Sequence, residues 1–295
     1  MVKKNRKIRK SSLKVILFSL CILIPVIFIS FAAVKSYMAG HVSEEPSPKS
    51  SVDKEVESKE PTQSADTEAK EEEPEVIEEE EEVIEQVTEL PEGKIVYLTF
   101  DDGPSQYTET LLAILKEHGV SATFFMQGVN LQKEILQGSV KKAVEEGHYI
   151  GAHSMTHDFN KLYKQNQFVP EMLETLQLIA DITGTNPKLT RPPYGSAPGL
   201  NSKQSREPIV QSDIKVWDWT IDSKDWALSG QPGQIVQNIK NETTRDTEVV
   251  LMHEKQQTID ALPDIIRFYK EQGYSFVAYH PAHHFSINFQ YDDRL

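Results

Sequence analysis

Apolar runs and helical patterns alternate along residues 93–295. Seven short apolar runs predict strands, at Ile95–Phe100, Ala122–Met126, Tyr149–Ala152, Lys188–Arg191, Ile214–Trp217, Val249–Leu251 and Ser275–Ala278. Between them, apolar residues at helical spacing predict helices, at Tyr107–His118, Leu131–Glu146, Val169–Thr183, Gln234–Asn241 and Ile259–Gln272. Strands that alternate with helices predict an α/β fold with a parallel sheet. Seven such strands predict a (β/α) barrel that is closed or nearly closed.

A different pattern occupies Val15–Val34, where 20 consecutive residues carry no charge. As a helix this run would be about 30 Å long, which is the thickness of a bilayer core. It exceeds the apolar region of about 7–15 residues in a cleaved signal peptide, and Ala32-Ala33-Val34 is a weak cleavage site. An uncleaved transmembrane anchor is therefore favoured over a protein that is secreted after cleavage. Basic residues are concentrated before the run, so residues 1–14 are predicted to be cytoplasmic and everything after Val34 extracytoplasmic.

Charge divides the rest of the chain into two parts. The whole chain has a formal net charge of −14, with 31 Lys and Arg against 45 Asp and Glu. Residues 41–92 hold 20 of those acids, four lysines and no aromatic residue, which predicts a disordered acidic linker over residues 35–92. Residues 93–295 hold 25 acids and 19 bases, and the lack of a strongly basic block argues against nucleic-acid binding. These 203 residues suffice for one sizeable core and form the predicted catalytic domain.

Carboxylates and histidines follow two of the predicted strands. In parallel barrels the chemistry lies at the carboxyl ends of the strands. Asp101 and Asp102 follow the first strand in TFDDGPS, and His153 and His157 follow the third in HSMTH. Two imidazoles spaced i,i+4 can share one metal ion. With Asp102 they make a two-nitrogen, one-carboxylate set that is typical of a catalytic zinc site with open positions.

Further polar and aromatic residues follow the later strands. Arg191, in RPPYG, could orient the Asp101 carboxylate, and the stiff residues after it could fix a backbone N–H towards an oxyanion. His253, in LMHE, could donate a proton if an acid such as Asp225 lies nearby. Trp217 is interpreted as buried core. The remaining histidines lack ligand spacing to this cluster and are not predicted to belong to the site; they are His118, His148, His280, His283 and His284.

Five motifs in order, TFDDGPS, HSMTH, RPPYG, DSKDW and LMHE, resemble those of the polysaccharide deacetylase family (carbohydrate esterase family 4, NodB-type domains). The resemblance covers about Lys94 to His280 and implies a distorted (β/α) barrel, often of seven strands. It also implies a role for each matching residue. Asp101 would be the general base, oriented by Arg191, and the metal would be bound by Asp102, His153 and His157. His253 would be the general acid, with its pKa tuned by Asp225. The Tyr194 N–H would help form the oxyanion hole, and the pocket for the acetyl methyl would be shaped by Trp226 and Leu251. Glu254 departs from the family pattern, because many members carry Asp after the histidine of the last motif.

The resemblance implies a metal-dependent N-deacetylase, with Zn²⁺ as the first expectation and Co²⁺, Ni²⁺ or Mn²⁺ as alternatives. A domain tethered outside a membrane lies closest to the cell-wall glycan, so N-acetylglucosamine in peptidoglycan is the first expected substrate. Chitin-type oligomers and an exopolysaccharide remain alternatives, as does a catalytically inactive wall-binding module. The sequence leaves open the sugar position, the metal, the oligomeric state and cleavage of the N-terminal segment.

Overall fold

A computed structural model of the protein describes residues 89–295. The predicted cytoplasmic N-terminus, the membrane run at 15–34 and nearly all of the acidic linker lie outside the described residues and stay predictions. Within the described part of the chain, no helix is both long enough and apolar enough to cross a bilayer.

Eight parallel strands form the sheet: β1 Lys94–Gly103, β2 Thr123–Met126, β3 Tyr149–Ala152, β4 Leu189–Thr190, β5 Lys215–Val216, β6 Ile221–Asp222, β7 Thr247–His253 and β8 Tyr274–Phe276. Seven of them follow the order β5-β4-β3-β2-β1-β7-β6, and β8 pairs with the start of β1. The predicted parallel α/β fold is therefore confirmed. All seven predicted strands are present, and only the two-residue strand β6 was not predicted.

The seven-strand path is an open half-barrel rather than a closed ring. Its end strands, β5 and β6, are two residues long, too short to complete a barrel wall, and among residues 89–295 they do not pair with each other. The chain near Ile287 fills this gap instead. It forms a parallel bridge with Trp217, and the Asp218 N–H donates to the Ile287 carbonyl at 2.7 Å.

The helices pack on the outside of the half-barrel: α1 Thr108–His118, α2 Gly128–Leu131, α3 Glu134–Glu145, α4 Phe168–Thr183, α5 Ser196–Gly199, α6 Lys203–Gln211, α7 Pro232–Glu242 and α8 Gln256–Glu271. A turn of π-helix at Asn160–Lys164 and two 3₁₀ turns, Asp225–Ala227 and Pro281–His283, complete the elements. The five predicted helices are all present, although Leu131–Glu146 is divided between α2 and α3. Helix α6 was missed because it is polar and contains Pro208.

Strand β1 separates two apolar cores, which explains its nearly continuous apolar sequence. Val96, Leu98 and Phe100 face the core beneath the helices. Ile95 and Tyr97 face a second core inside the half-barrel. Trp217 belongs to this second core, and its interpretation as a core residue is confirmed, because it has no exposed surface and its indole Nε1–H donates to the Phe285 carbonyl at 2.8 Å.

His148 illustrates how a buried histidine can serve the fold alone. It precedes β3, and its Nδ1 accepts the Ala122 N–H at 3.0 Å. Burial lowers the pKa of His148 to about 4, although the charge of Glu146 opposes this shift. The ring is therefore neutral at pH 7 and acts as a hydrogen-bond acceptor at the start of β2.

We expect His148 to make the protein sensitive to mild acid. Its folded pKa lies below the ordinary value of 6.5, so the unfolded chain binds the proton first and stability is lost as the pH falls from about 6.5 towards 4. Asn at this position can keep the acceptor but cannot titrate. Urea unfolding between pH 7 and pH 4.5 should show a pH slope smaller in His148→Asn than in the wild type, by up to about 1.4 kcal/mol per pH unit. His118→Asn, at the end of α1, is the control, and equal slopes in wild type and His148→Asn would contradict the prediction.

Candidate active site

A cleft of about 450 Å³ opens at the carboxyl ends of the strands. Eight of the ten predicted site residues line it: Asp101, Asp102, His153, His157, Tyr194, Trp226, Leu251 and His253. The other two, Arg191 and Asp225, lie behind its wall with no exposed surface. The fold thus brings together residues that are spread over more than 150 positions of sequence.

The two adjacent carboxylates at the end of β1 have different partners. Asp102 has a φ of 74°, a left-handed conformation that turns its side chain away from that of Asp101. Asp101 is almost fully buried, and its Oδ1 accepts a hydrogen bond from Arg191 Nη1 at 2.9 Å. Its Oδ2 faces the cleft side, 3.7 Å from His153 Nε2.

Asp102, His153 and His157 form a compact ligand set. Asp102 Oδ1 lies 3.7 Å from His153 Nε2 and 3.8 Å from His157 Nε2, and the three ligand atoms lie within 4.8 Å of one another. A tetrahedral ion with bonds of about 2.0–2.1 Å would hold its ligands about 3.3 Å apart, so a small contraction would satisfy it. His153 Nδ1 lies 2.8 Å from the Arg191 carbonyl, which places the proton on Nδ1 and leaves the Nε2 lone pair free. The donor set therefore fits a divalent metal ion.

Electrostatics also suits this set to metal binding. Burial alone would raise the pKa of Asp102, but His153, His253 and His157 with a hydrogen bond from Gln127 hold it below its ordinary value. Burial and the neighbouring His153 lower the pKa of His157. An ionised carboxylate and a neutral imidazole are the forms that bind a cation.

Arg191 connects the site from behind. Its guanidinium donates hydrogen bonds to four acceptors: Asp101 Oδ1 at 2.9 Å, Thr99 Oγ1 at 2.6 Å, the Trp217 carbonyl at 3.2 Å and the Asp218 carbonyl at 2.9 Å. Its charged carbon also lies 4.1 Å from the centre of the Phe125 ring. These contacts hold the Asp101 carboxylate in one orientation.

His253 stands beside Asp101 because the two are register partners on the adjacent strands β7 and β1. Its Nδ1 lies 2.7 Å from Asp225 Oδ1. Burial alone would lower the pKa of His253, but the hydrogen bond and charge of Asp225, with Asp101 and Asp102, raise it above the ordinary value. The Nε2 side of the ring belongs to the cleft wall, so a protonated His253 can donate there.

Tyr194 lies in the loop after β4 with a φ of 68°. Its hydroxyl donates to the His157 carbonyl at 3.0 Å, which ties this loop to the histidine pair. Within residues 89–295, no acceptor takes its backbone N–H. Left-handed non-glycine residues often mark functional sites, and here Tyr194 shares that conformation with two of the ligand residues, Asp102 and His157.

The two residues expected to shape an acetyl pocket occupy different depths. Leu251 is 4% exposed and lies on β7, two residues before His253. Trp226 is 57% exposed, with its Nε1 3.4 Å from Asp222 Oδ1. The leucine thus contributes to the floor of the cleft, and the indole stands at its rim.

Several residues that support the site were missed from the sequence. Gln127 donates to Asp102 Oδ1 at 2.6 Å, and Thr258 Oγ1 donates to Asp225 Oδ2 at 2.6 Å. Gln127 directly follows β2, so the strand-end rule that identified Asp101 could have found it. Thr258 lies on α8, where no local pattern distinguishes it from other threonines.

Glu254 is buried behind the loop that follows Asp102. Its Oε2 accepts hydrogen bonds from Ser105 Oγ and Thr108 Oγ1, both at 2.6 Å, whereas its buried Oε1 has no partner among the described residues. A Cβ at Gly103 would lie 2.1 Å from Oε1, so a larger residue there would force the Glu254 side chain to shift. Burial raises the pKa of Glu254 to about 7, against the effect of the two hydroxyl donors.

We expect Glu254 to cost stability as the pH rises. Its folded pKa exceeds the ordinary value of 4.5, so the unfolded chain loses the proton first and stability falls from about pH 4.5 to pH 7. Residue 254 cannot titrate in Glu254→Gln. The free energy of unfolding of this variant minus that of the wild type should therefore be larger at pH 8 than at pH 5. Urea unfolding in the presence of a chelator measures this without a contribution from metal. Glu109→Gln, on the exposed face of α1, is the control, and a wild-type-to-variant difference that does not change with pH would contradict the prediction.

Comparisons with known proteins agree with this geometry. A model of the polysaccharide deacetylase family matches residues 88–211. A peptidoglycan-N-acetylglucosamine deacetylase of Bacillus cereus is 50% identical over 210 residues, which cover 69% of this chain and 76% of that protein. The crystal structure of the polysaccharide deacetylase Bc1974 from Bacillus cereus is 49% identical, with a TM-score of 0.66, and the match covers 68% of this chain and all of that one.

A more distant structure shows the same fold. The catalytic domain of peptidoglycan N-acetylglucosamine deacetylase from Eubacterium rectale is 28% identical with a TM-score of 0.60, and the match covers 70% of this chain and 97% of that one. The half-barrel, the five motifs at its strand ends and these matches lead to one conclusion. The chain belongs to the polysaccharide deacetylase family (carbohydrate esterase family 4, with a NodB-type domain).

Proposed function

We propose that this protein removes the acetyl group from N-acetylglucosamine units of peptidoglycan in a metal-dependent hydrolysis. One observation carries the proposal: Asp101 and His253, register partners on adjacent strands, face the same cleft as the ligand set of Asp102, His153 and His157. A base, an acid and a Lewis-acid site around one cleft are the groups that amide hydrolysis needs.

The first half of the reaction is the activation of a water molecule that attacks the acetamide carbonyl. A divalent cation on Asp102, His153 and His157, with zinc as the first candidate, would lower the pKa of a water ligand and polarise the acetamide carbonyl. Asp101, held through Oδ1 by Arg191, accepts the proton of the attacking water through its other oxygen.

The second half of the reaction uses the opposite side of the cleft. As the water oxygen bonds to the carbonyl carbon, the Tyr194 N–H donates to the oxygen that becomes negative. His253, oriented by Asp225, then gives a proton to the sugar nitrogen as the carbon–nitrogen bond breaks. Acetate and a free amino sugar are the products, and the cleft is ready for the next turnover once Asp101 has released its proton and His253 has regained one.

The substrate assignment rests on similarity and on the N-terminal sequence. The Bacillus cereus relative at 50% identity is named for its action on peptidoglycan. The uncharged run at 15–34 and the acidic residues after it favour a single-pass anchor that holds the catalytic domain outside the membrane, within reach of the wall. Chitin-type oligomers, an exopolysaccharide and an inactive binding module are the alternatives that experiment must separate.

We expect the purified full-length chain to release acetate from peptidoglycan, and chelation to abolish that release. Acetate is measured on peptidoglycan, chitin oligomers and poly-N-acetylglucosamine, each with and without chelator and with zinc restored. Faster release of acetate from chitin oligomers than from peptidoglycan would identify chitin-type oligomers as the preferred substrate. Release that continues in the presence of chelator would contradict metal dependence. Binding to the wall without acetate from any polymer would support the inactive module.

We expect two variants to separate metal binding from proton transfer. Asp101→Asn should retain zinc but lose about 10²–10⁴-fold in kcat, which is the usual contribution of a general base. His153→Ala should lose both zinc and activity. Zinc content and acetate release are measured together, with Asp264→Asn and His118→Ala as matched controls away from the cleft. Full activity in Asp101→Asn would overturn its assignment as the base.

A further inference from the structure

A buried carboxylate lies directly behind the site and has no part in the proton transfers. Asp218 follows Trp217 and has no exposed surface. Its Oδ1 accepts the Ser196 N–H at 2.8 Å, and its Oδ2 accepts the Ser196 hydroxyl and, at 2.7 Å, the Phe289 N–H. All its partners are donors, as suits an ionised carboxylate, which has only acceptors to offer.

One side of Asp218 holds the loop that carries the Tyr194 N–H. Ser196 follows Tyr194 by two residues, and Tyr194 itself has the left-handed φ of 68°. A bulky residue keeps such a conformation only when the surrounding structure holds it. The Tyr163 hydroxyl donates to the Pro193 carbonyl at 2.8 Å and anchors the loop before Tyr194. Asp218, through both donors of Ser196, anchors it after Tyr194.

The other side of Asp218 holds the C-terminal segment, residues 285–295. The Phe289 N–H reaches the same carboxylate oxygen as the Ser196 hydroxyl. The Phe289 ring packs edge-to-face on Trp219, with 5.0 Å between ring centres, and Trp219 lines the cleft. A Cβ at Gly195 would lie 3.0 Å from both rings, so the segment packs directly against the loop after Tyr194. The C-terminal segment therefore forms the back of the oxyanion loop.

We propose that Asp218 is a positioning residue, which fixes the Tyr194 N–H through Ser196 and makes the C-terminal segment part of the catalytic unit. This inference rests on the proposed deacetylase function for its kinetic consequence. Asp218 lies behind the loop and acts on the reaction only through the loop that it holds.

Asp218→Asn tests the inference with little change in volume. The amide oxygen can still accept the Ser196 N–H, and the Ser196 hydroxyl can turn to accept from the amide NH₂. The Phe289 N–H would instead face that NH₂, and two donors cannot pair. We expect kcat to fall about 10- to 100-fold, somewhat less than the loss of an oxyanion donor, with KM and zinc content near the wild-type values.

Asp292→Asn is the matched control, because it makes the same chemical change within the C-terminal segment that Asp218 holds. Asp292 pairs with Arg206 at 2.7 Å and with Arg294, and it has no contact with Ser196. Its kcat should stay within about twofold of wild type, since its ion pairs with Arg206 and Arg294 do not involve Ser196 or a residue that lines the cleft. Ser196→Ala, which removes one donor to Asp218, should lower kcat in the same direction as Asp218→Asn but less, and it keeps the inference testable if Asp218→Asn does not fold.

A double-mutant cycle shows whether Asp218→Asn lowers kcat by way of the Asp218–Ser196 hydrogen bonds. If it does, the losses in kcat of Asp218→Asn and Ser196→Ala are not additive in the double variant. Additive losses, a kcat of Asp218→Asn within twofold of wild type, or an equal loss in Asp292→Asn would overturn the inference.

Amide hydrogen exchange provides a readout that does not depend on activity. Asp218→Asn should speed exchange of the amides at residues 194–196 and in the C-terminal segment, whereas Asp292→Asn should speed it in the C-terminal segment alone. If the wild type releases no acetate, the proposed function fails, and exchange still decides whether Asp218 holds the loop. Unchanged exchange at 194–196 in Asp218→Asn would overturn the inference on structural grounds.

Discussion

The site is organised around a guanidinium with no access to solvent. A buried charge without partners costs several kcal/mol, so Arg191 is tolerated only because every side of it is occupied. It pairs with Asp101, bonds the carbonyls of Trp217 and Asp218, and stacks on Phe125. Its own carbonyl faces Nδ1 of the ligand histidine His153. One residue thus contacts the proposed base, a proposed metal ligand and the strand end that leads into Asp218.

The open half-barrel explains why the C-terminal segment reaches the active site. Strands β5 and β6 are too short to close the sheet, so a gap remains beside the cleft. Residues near Ile287 fill that gap through backbone contacts with Trp217 and Asp218. The same segment contacts Asp218 and packs on Trp219, which lines the cleft, and these contacts are the basis of the proposal that the C-terminal segment supports the reaction.

Three buried carboxylates lie behind the cleft and differ in the hydrogen bonds that they accept. Asp225 and Asp218 each accept several donors, and each holds a group that faces the reaction. Glu254 has donors on only one oxygen, and burial raises the pKa of its carboxyl group to about 7. Burial also raises the pKa of Asp218, although hydrogen bonds from Ser196 and Phe289 and the charge of Arg191 oppose that shift. Asp218 differs from Glu254 in that both of its oxygens have donors.

The sequence by itself determined the strand–helix alternation and singled out ten candidate site residues, because periodicity and motif spacing are local properties of the chain. Asp101 and His153 could be found this way since each directly follows an apolar strand. The two-residue strand β6, the open end of the half-barrel and the hydrogen bonds of Asp218 and Thr258 could not be found. Short strands have too few residues to show a period. The residues around a buried aspartate or threonine in the sequence do not indicate whether its side chain will bond water or a loop far along the chain. Only the tertiary structure decides which distant donors meet a buried acceptor, because that pairing depends on strand register and on how the chain closes its gaps.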